Sequence, residues 1–461
     1  MDGCQVMDTC SSIIYLISRL YFFVVTVVFY VVNIFKTKQV VPPISDDLLL
    51  ISATEAVNDV INTVVVRLFD EATKKAVEID REIAEMGNER LEQRVRSKPL
   101  LGVPFTVKDA LEVDGQIITC GIYNHRDNKC TQSAEVIKRM EAAGAILIAI
   151  TNVPEACSWV ESTNGIYGLS KNPYDTRLSV GGSSGGEGAL ISAAGVIPLD
   201  GHVPMPKEFQ IQMLRIGPMC RYVEDVPLLM EVMGGELAVD LHLKEMVDFN
   251  KVRFFYMEGI QHTPKPQSLS SEMRCALLKV RAVSYFEQKF DVEGIRLDLP
   301  LASNAIEMLF SCIQAKNTPT ISESFKSLKG DRGSLNWMTE LPKLLAGKSV
   351  HTAAALFLSF FESMDRTSEK EKAKFRRLRD RLARQVTETL GDDGILLFPS
   401  WPTTAPYHHQ TFFTPFNTAY TGLFNALTLP IVGARNSDRL LIAAAQQLSQ
   451  AFGGWTPAWS Q

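Results

Sequence analysis

The chain has 461 residues, 46% hydrophobic and 21% charged, with a formal net charge of −5. That is an ordinary globular composition with apolar material for a large core, and it gives no basis for a nucleic-acid partner, which shows as a basic patch. Cys4, Cys10, Cys120, Cys130, Cys157, Cys220, Cys275 and Cys312 lie far apart without a C-x-x-C, which reads as reduced thiols rather than a disulfide framework or a zinc site.

After a short tail, residues 1–12, the first element is Ile13 to Phe35, IIYLISRLYFFVVTVVFYVVNIF. Its 23 residues are long enough to cross a bilayer as a helix, with Arg19 near one end able to snorkel. The first ten residues hold no Lys or Arg and no small-x-small site follows the run, which argues against a cleaved signal. Asp2 and Asp8 precede the span and Lys36 and Lys38 follow it, so the positive-inside rule predicts a single-pass membrane protein with a cytoplasmic body.

Beyond Pro42-Pro43, Asp46–Ala56 and Val64–Met86 read as helices. Leu100–Val107 reads as a strand and leads into Lys108-Asp109. On the residues alone, that lysine is an exposed strand end. Glu135–Ala143 is a predicted helix and Ala145–Ile150 (AILIAI) a buried strand ending at Thr151-Asn152, the kind of strand end where α/β sheets hold ligands. Thr163–Asn172 is loop.

The stretch 178–194, LSVGGSSGGEGALISAA, is the most informative. Gly181, Gly182, Gly185 and Gly186 surround Ser183 and Ser184, giving a loop whose backbone can approach a ligand closely. Glu187–Ala194 then reads as a helix that either serine can cap. A flexible linker would not run at once into an apolar helix, and the spacing fits neither a phosphate loop nor the dinucleotide fingerprint. Near the C-terminus, Glu369–Leu390 is a charged helix with an apolar stripe at Phe375, Leu378, Leu382 and Val386. Its basic face is solvated, with contact to anionic lipid as the alternative. Gly394–Phe398 is a strand and Trp401–Pro406 a rigid Pro-rich turn. His408-His409 are predicted to be surface or loop histidines, since neighbours on an extended chain face opposite ways. The run Phe412–Phe424 either lines an apolar channel or packs in the core.

GGSSGGEGAL resembles the signature of the amidase signature family of serine hydrolases. The resemblance extends to PLLGVPFTVKD at 99–109, TNVPE at 151–155, and the stretches 399–406 and 415–430. Tyr407-His408-His409 and the apolar N-terminus point to the branch acting on fatty-acid amides. The resemblance implies an α/β fold, a large mixed central sheet flanked by helices, over residues 40–461. It also implies a Ser-Ser-Lys triad with no metal or cofactor and a long-chain acyl amide as substrate. The apolar N-terminus adds membrane lipid as an expected partner, and whether the body forms a homodimer is left open. Lys108 corresponds to the base and Ser183 to the bridging serine. An amine works as a base only in its neutral form, which burial favours.

The family's nucleophile follows on a Gly-Gly-Ser-Ile-Arg turn, whose backbone N–H groups form the oxyanion hole. This chain has no such turn: Ile191–Gly195 runs straight into Val196. Similar joins lie near 57/58 and 430/431, so three blocks of family sequence are expected to be missing. The chain is then a catalytically impaired member, with Ser184, or less readily Ser192, as the substitute nucleophile. An inactive binding or decoy protein is the alternative.

Overall fold

The computed structural model describes residues 20–21, 23–41, 50–190, 202–203, 216–260, 267–268, 282–314, 318–328, 330–398, 401–414 and 437–453. In chain order, α1 (Leu50–Ile61), β1 (Val64–Arg67), α2 (Phe69–Ala84), β2 (Pro104–Lys108), α3 (Glu135–Ala142) and β3 (Ile146–Thr151) come first. The hairpin β4 (Thr163–Asn164) and β5 (Gly168–Leu169) and the short α4 (Gly185–Leu190) follow. Then come β6 (Arg253–Tyr256), the pair β7 (Gly259–Ile260) and β8 (Gln267–Ser268), α5 (Ala282–Phe290), β9 (Gly294–Arg296) and α6 (Ala305–Ile313). The remaining elements used below are α7 (Ala353–Met364), α8 (Glu369–Leu390), β10 (Gly394–Leu397) and α9 (Asp438–Phe452).

Every residue of β3 is buried, as an unbroken apolar run requires of a strand covered on both faces. It takes the middle of a three-stranded sheet, β1-β3-β2, with β2 parallel to it and β1 antiparallel. Phe69 and Ala72 of α2 pack on one face, against Ile146 and Ile148. Val136, Ile137 and Met140 of α3 cover the other, with Val107, Leu147 and Ile150. The helix expected over Val64–Met86 begins only at Phe69. Val64, Val65 and Val66 are β-branched and stiff at χ1, and they form a strand against β3 instead.

A second three-stranded sheet, β10-β6-β9, is parallel throughout. Its core is built from Phe254, Ile395 and Leu396 with Phe286 of α5, Met308 of α6 and Leu440 of α9. The predicted stripe of α8 joins it through Leu382 and Val386, with Leu378 partly buried. The architecture is therefore α/β as expected; the described strands form two three-stranded sheets, one mixed and one parallel, and two two-stranded ones.

The predicted membrane span is not supported. Residues 13–19 and 22 lie outside the described residues, and 20–21 and 23–34 are helical. Among the described residues no helix is long and apolar enough to cross a membrane. The single-pass topology, and with it the orientation drawn from Lys36 and Lys38, is withdrawn. The segment is instead attached to the body. Phe29 contacts Phe413 at 5.5 Å between ring centroids, and the Gln39 backbone N–H donates to Thr176 Oγ1 at 2.8 Å.

The join expected near 57/58 falls inside α1, where Val57 and Asn58 are both buried. Asn58 Oδ1 accepts the N–H groups of Thr63 (2.8 Å) and Val64 (2.7 Å), turning the chain out of α1 into β1. The joins at 195/196 and 430/431 lie outside the described residues, as does the second half of the helix predicted over 187–194.

Candidate active site

β2 and β3 run parallel with Lys108 opposite Thr151, so both strand ends open on one side of the sheet. The glycine loop sits there. Lys108 Nζ donates to Ser183 Oγ at 3.4 Å and to Ser184 Oγ at 3.3 Å. The two predicted serines are thus equally close to the lysine, and distance alone does not separate their roles.

The loop is held from several sides. The Gly181 carbonyl accepts from Ser162 N (3.1 Å) and Ser162 Oγ (3.2 Å), and Ser162 Oγ accepts from Gly185 N at 3.0 Å. Gly181 has φ +92°, a conformation that costs glycine little and other residues much. The Gly182–Ser183 peptide is cis. Gly182 packs on the Trp159 carbonyl and Gly185 on Ser162. Gly186 donates to the Asn152 carbonyl at 3.1 Å, and a Cβ there would lie 2.5 Å from Asn152 N and 2.7 Å from Asn152 O. Both atoms are backbone anchored at the end of β3, so neither can give way. Gly186→Ala is expected to cost about 1–3 kcal/mol, as overpacked sites do. Urea unfolding reads this as a lower midpoint at unchanged slope, and an unchanged midpoint would remove the close-packing account.

Glu187 was not singled out by the sequence. It is buried in α4 and accepts from Thr106 Oγ1 of β2 (2.9 Å) and Thr151 Oγ1 of β3 (2.8 Å), tying the loop to both strands. Burial raises its carboxyl above the usual range, opposed by the two hydroxyls and by the charge of Lys108. The available signal was an acid set in an Ala/Leu helix with a threonine near the end of each facing strand. Asp109 is fully buried beside the lysine and accepts from Thr119 N at 2.8 Å, from Thr119 Oγ1 and from Gly121 N at 3.4 Å. Burial pushes it up to about 6 despite those hydrogen bonds.

His408 and His409 both lie in a loop and His409 is exposed, as expected, but His408 is not at the surface. His408 is buried, and both histidines turn toward Glu161, whose Oε1 lies 2.8 Å from His408 Nδ1 and whose Oε2 lies 3.5 Å from His409 Nδ1. The alternation of an extended chain fails because His409 is left-handed, with φ +65°. His408 Nε2 lies 3.2 Å from the Thr176 carbonyl, so both of its ring nitrogens face protein partners. The contact ties residues 407–409 to 177–179, just ahead of the loop: Ser179 N donates to the Pro406 carbonyl at 2.8 Å. Glu155 works similarly, binding His351 Nδ1 at 2.6 Å and Thr352 N at 2.8 Å at the start of α7. A cavity of about 430 Å³ lined by Tyr285, Gln288, Lys289, Gln450 and Ala451 lies by α5 and α9 and contains none of these site residues.

The fold is shared with solved hydrolases. 6-Aminohexanoate cyclic dimer hydrolase complexed with substrate superposes with a TM-score of 0.61 at 18% identity, covering 88% of this chain and 93% of that one. Fatty acid amide hydrolase gives 0.58 at 20% identity, covering 83% and 69%. In sequence, the family described as Amidase matches residues 48–199. Fatty-acid amide hydrolase 2 of Homo sapiens is 33% identical, covering 88% of this chain and 85% of the relative. Fatty-acid amide hydrolase 2-A of Danio rerio is 32% identical over 90% and 91%. The chain belongs to the amidase signature family and is, by that membership, an amide hydrolase.

Proposed function

We propose that this chain is a long-chain fatty-acid amide hydrolase carrying the base and bridge of a Ser-Ser-Lys triad, Lys108 and Ser183, but lacking the segment that bears the nucleophile. The observation that carries this is the lysine amine within 3.4 Å of two adjacent serine hydroxyls at a strand end. In the reaction, Ser183 passes a proton from the attacking hydroxyl to Lys108 and returns it to the leaving amine. Ser184 is the substitute nucleophile, since its Oγ also reaches the amine. Without the oxyanion turn the chain turns over slowly and behaves mainly as a binder of its amide.

The acyl preference rests on an aromatic cluster beside the loop. Trp159, whose carbonyl underlies Gly182, stacks on Phe412 at 4.9 Å and meets Phe357 edge-on at 5.8 Å. Phe361 extends the cluster from Phe357 at 4.6 Å and is 48% exposed. Phe412 belongs to this cluster, which supports the channel reading of 412–424 over core packing, while 415–424 lie outside the described residues.

A fluorophosphonate probe, which reacts with activated serines, tests the reading on the full chain beside Lys108→Ala, Ser183→Ala and Ser184→Ala. The expected result is slow labelling that falls to background in Lys108→Ala, with thermal stabilisation by long-chain but not short-chain amides. Rapid labelling untouched by Lys108→Ala, or stabilisation indifferent to chain length, would sink it.

A further inference from the structure

Two thiols meet beside the lysine. Cys120 Sγ lies 3.5 Å from Cys157 Sγ, and Cys157 feels the charge of Lys108. Cys120 is fully buried and its Sγ also contacts the Val203 carbonyl at 3.3 Å, whereas Cys157 is only partly buried. The backbone fixes the pair. Ala156 N donates to the Cys120 carbonyl at 2.8 Å, and Cys120, Ala156 and Cys157 are all left-handed, with φ of 52°, 54° and 51°. Non-glycine residues hold that conformation only where surrounding structure imposes it, and such residues cluster at functional sites.

The two sulfurs are not equivalent. The hydrogen bond from Cys120, together with Lys108, brings the Cys157 thiol down to about 7 against the effect of burial. The other described thiols move the opposite way: burial raises Cys130 and Cys312, and takes Cys220 to about 11. The thiolate is the reactive form, so one sulfur is prepared to attack and its neighbour to resolve the product.

We propose that Cys157 and Cys120 form a hydroperoxide-reactive dithiol site. The Cys157 sulfur attacks the terminal peroxide oxygen; the O–O bond breaks, leaving a sulfenic acid and releasing an alcohol, or water from hydrogen peroxide. The Cys120 sulfur then displaces the sulfenic oxygen as water and closes a disulfide. The peroxide gains two electrons and the two thiols lose them. A disulfide is about 2.05 Å long, so the sulfurs need approach by only about 1.5 Å. The oxidised pair no longer offers Lys108 a thiol, which couples the redox state to the lysine. The site does not depend on the hydrolytic reading, because its chemistry involves neither serine.

The test treats the full chain with limiting hydrogen peroxide, alkylates the remaining thiols and maps peptides without reduction. A Cys120–Cys157 cross-link, lighter than the dithiol by two hydrogens, is expected to form roughly tenfold or more faster than oxidation of Cys130 or Cys220, as the thiolate is the nucleophile. In urea the preference should vanish, because the fold creates it. In Cys120→Ser, Cys157 should persist as a sulfenic acid trapped by dimedone, which keeps the test sound if Cys157→Ser folds poorly. Equal oxidation of Cys130 and Cys157 in the native chain, a preference that survives urea, or no dimedone adduct in Cys120→Ser would each overturn the proposal.

Discussion

Inserting a Gly-Gly-Ser-Ile-Arg turn of the kind the family resemblance implies, with a flanking loop, between Gly195 and Val196 is expected to raise hydrolysis of a long-chain amide by up to about a millionfold. That is the order of loss when the nucleophile of a hydrolytic triad is removed. The same turn supplies oxyanion donors, and losing one such donor typically costs about 3–4 kcal/mol of transition-state stabilisation. On the proposed reading Lys108 and Ser183 need no redesign, because Lys108 already reaches both hydroxyls from the end of β2. In the grafted chain Lys108→Ala should then lower kcat/KM by roughly a hundredfold or more, the scale of a lost general base. A folded graft with no gain, or a gain indifferent to Lys108→Ala, would show that Ser183 and Lys108 are not the standing half of a triad.

Acid titration of stability is expected to show two opposing arms, from Glu161 and Asp109. Burial disfavours the Glu161 carboxylate, but the hydrogen bonds from His408 and His409 outweigh it and hold the group at about 2, against an ordinary 4.5. The unfolded chain therefore takes up that proton first, so the contribution is complete above about 4.5 and disappears as the pH falls toward about 2. At about 1.4 kcal/mol per unit this is on the order of 3 kcal/mol. Asp109 behaves in the reverse sense. Raised from 3.8 to about 6, it holds its proton in the folded chain after the unfolded chain has lost it. Its contribution is complete below about 3.8 and is lost as the pH rises through about 6, again on the order of 3 kcal/mol. Urea midpoints across pH 2–7 read both arms. Glu161→Gln should flatten the lower arm and Asp109→Asn the upper one. A pH profile that neither substitution changes would contradict both assignments.

Much of the site was legible from the chain because its demands are local. A glycine loop followed by an Ala/Leu helix, and a lysine at the end of an apolar strand, each state their geometry within a dozen residues. β3 and the stripe of α8 were likewise readable, since an unbroken apolar run and a helical spacing of Leu and Val report burial directly. Three readings failed for want of context. Val64–Arg67 was placed in a helix because the propensity of three valines counted for less than the periodicity beyond them, and pairing with β3 decided the matter. His409 is the exposed loop histidine expected, but the burial of His408 against Glu161, some 250 positions away, cannot be seen from a local window. The apolar N-terminus was read as a membrane span from hydropathy, which does not register that Phe29 packs on Phe413 and Asn33 is buried.

The sequence by itself determined the family, the lysine and serines proposed for the site, and the absence of a second Gly-Gly-Ser turn, because these are matters of residue identity and order. Only the tertiary structure decided that Ser183 and Ser184 stand equally near Lys108, that Glu187 ties the loop to two strands, and that Cys120 and Cys157 meet beside the lysine. Each of these joins segments tens of residues apart, and such contacts arise from strand pairing and buried hydrogen bonds that no local pattern encodes.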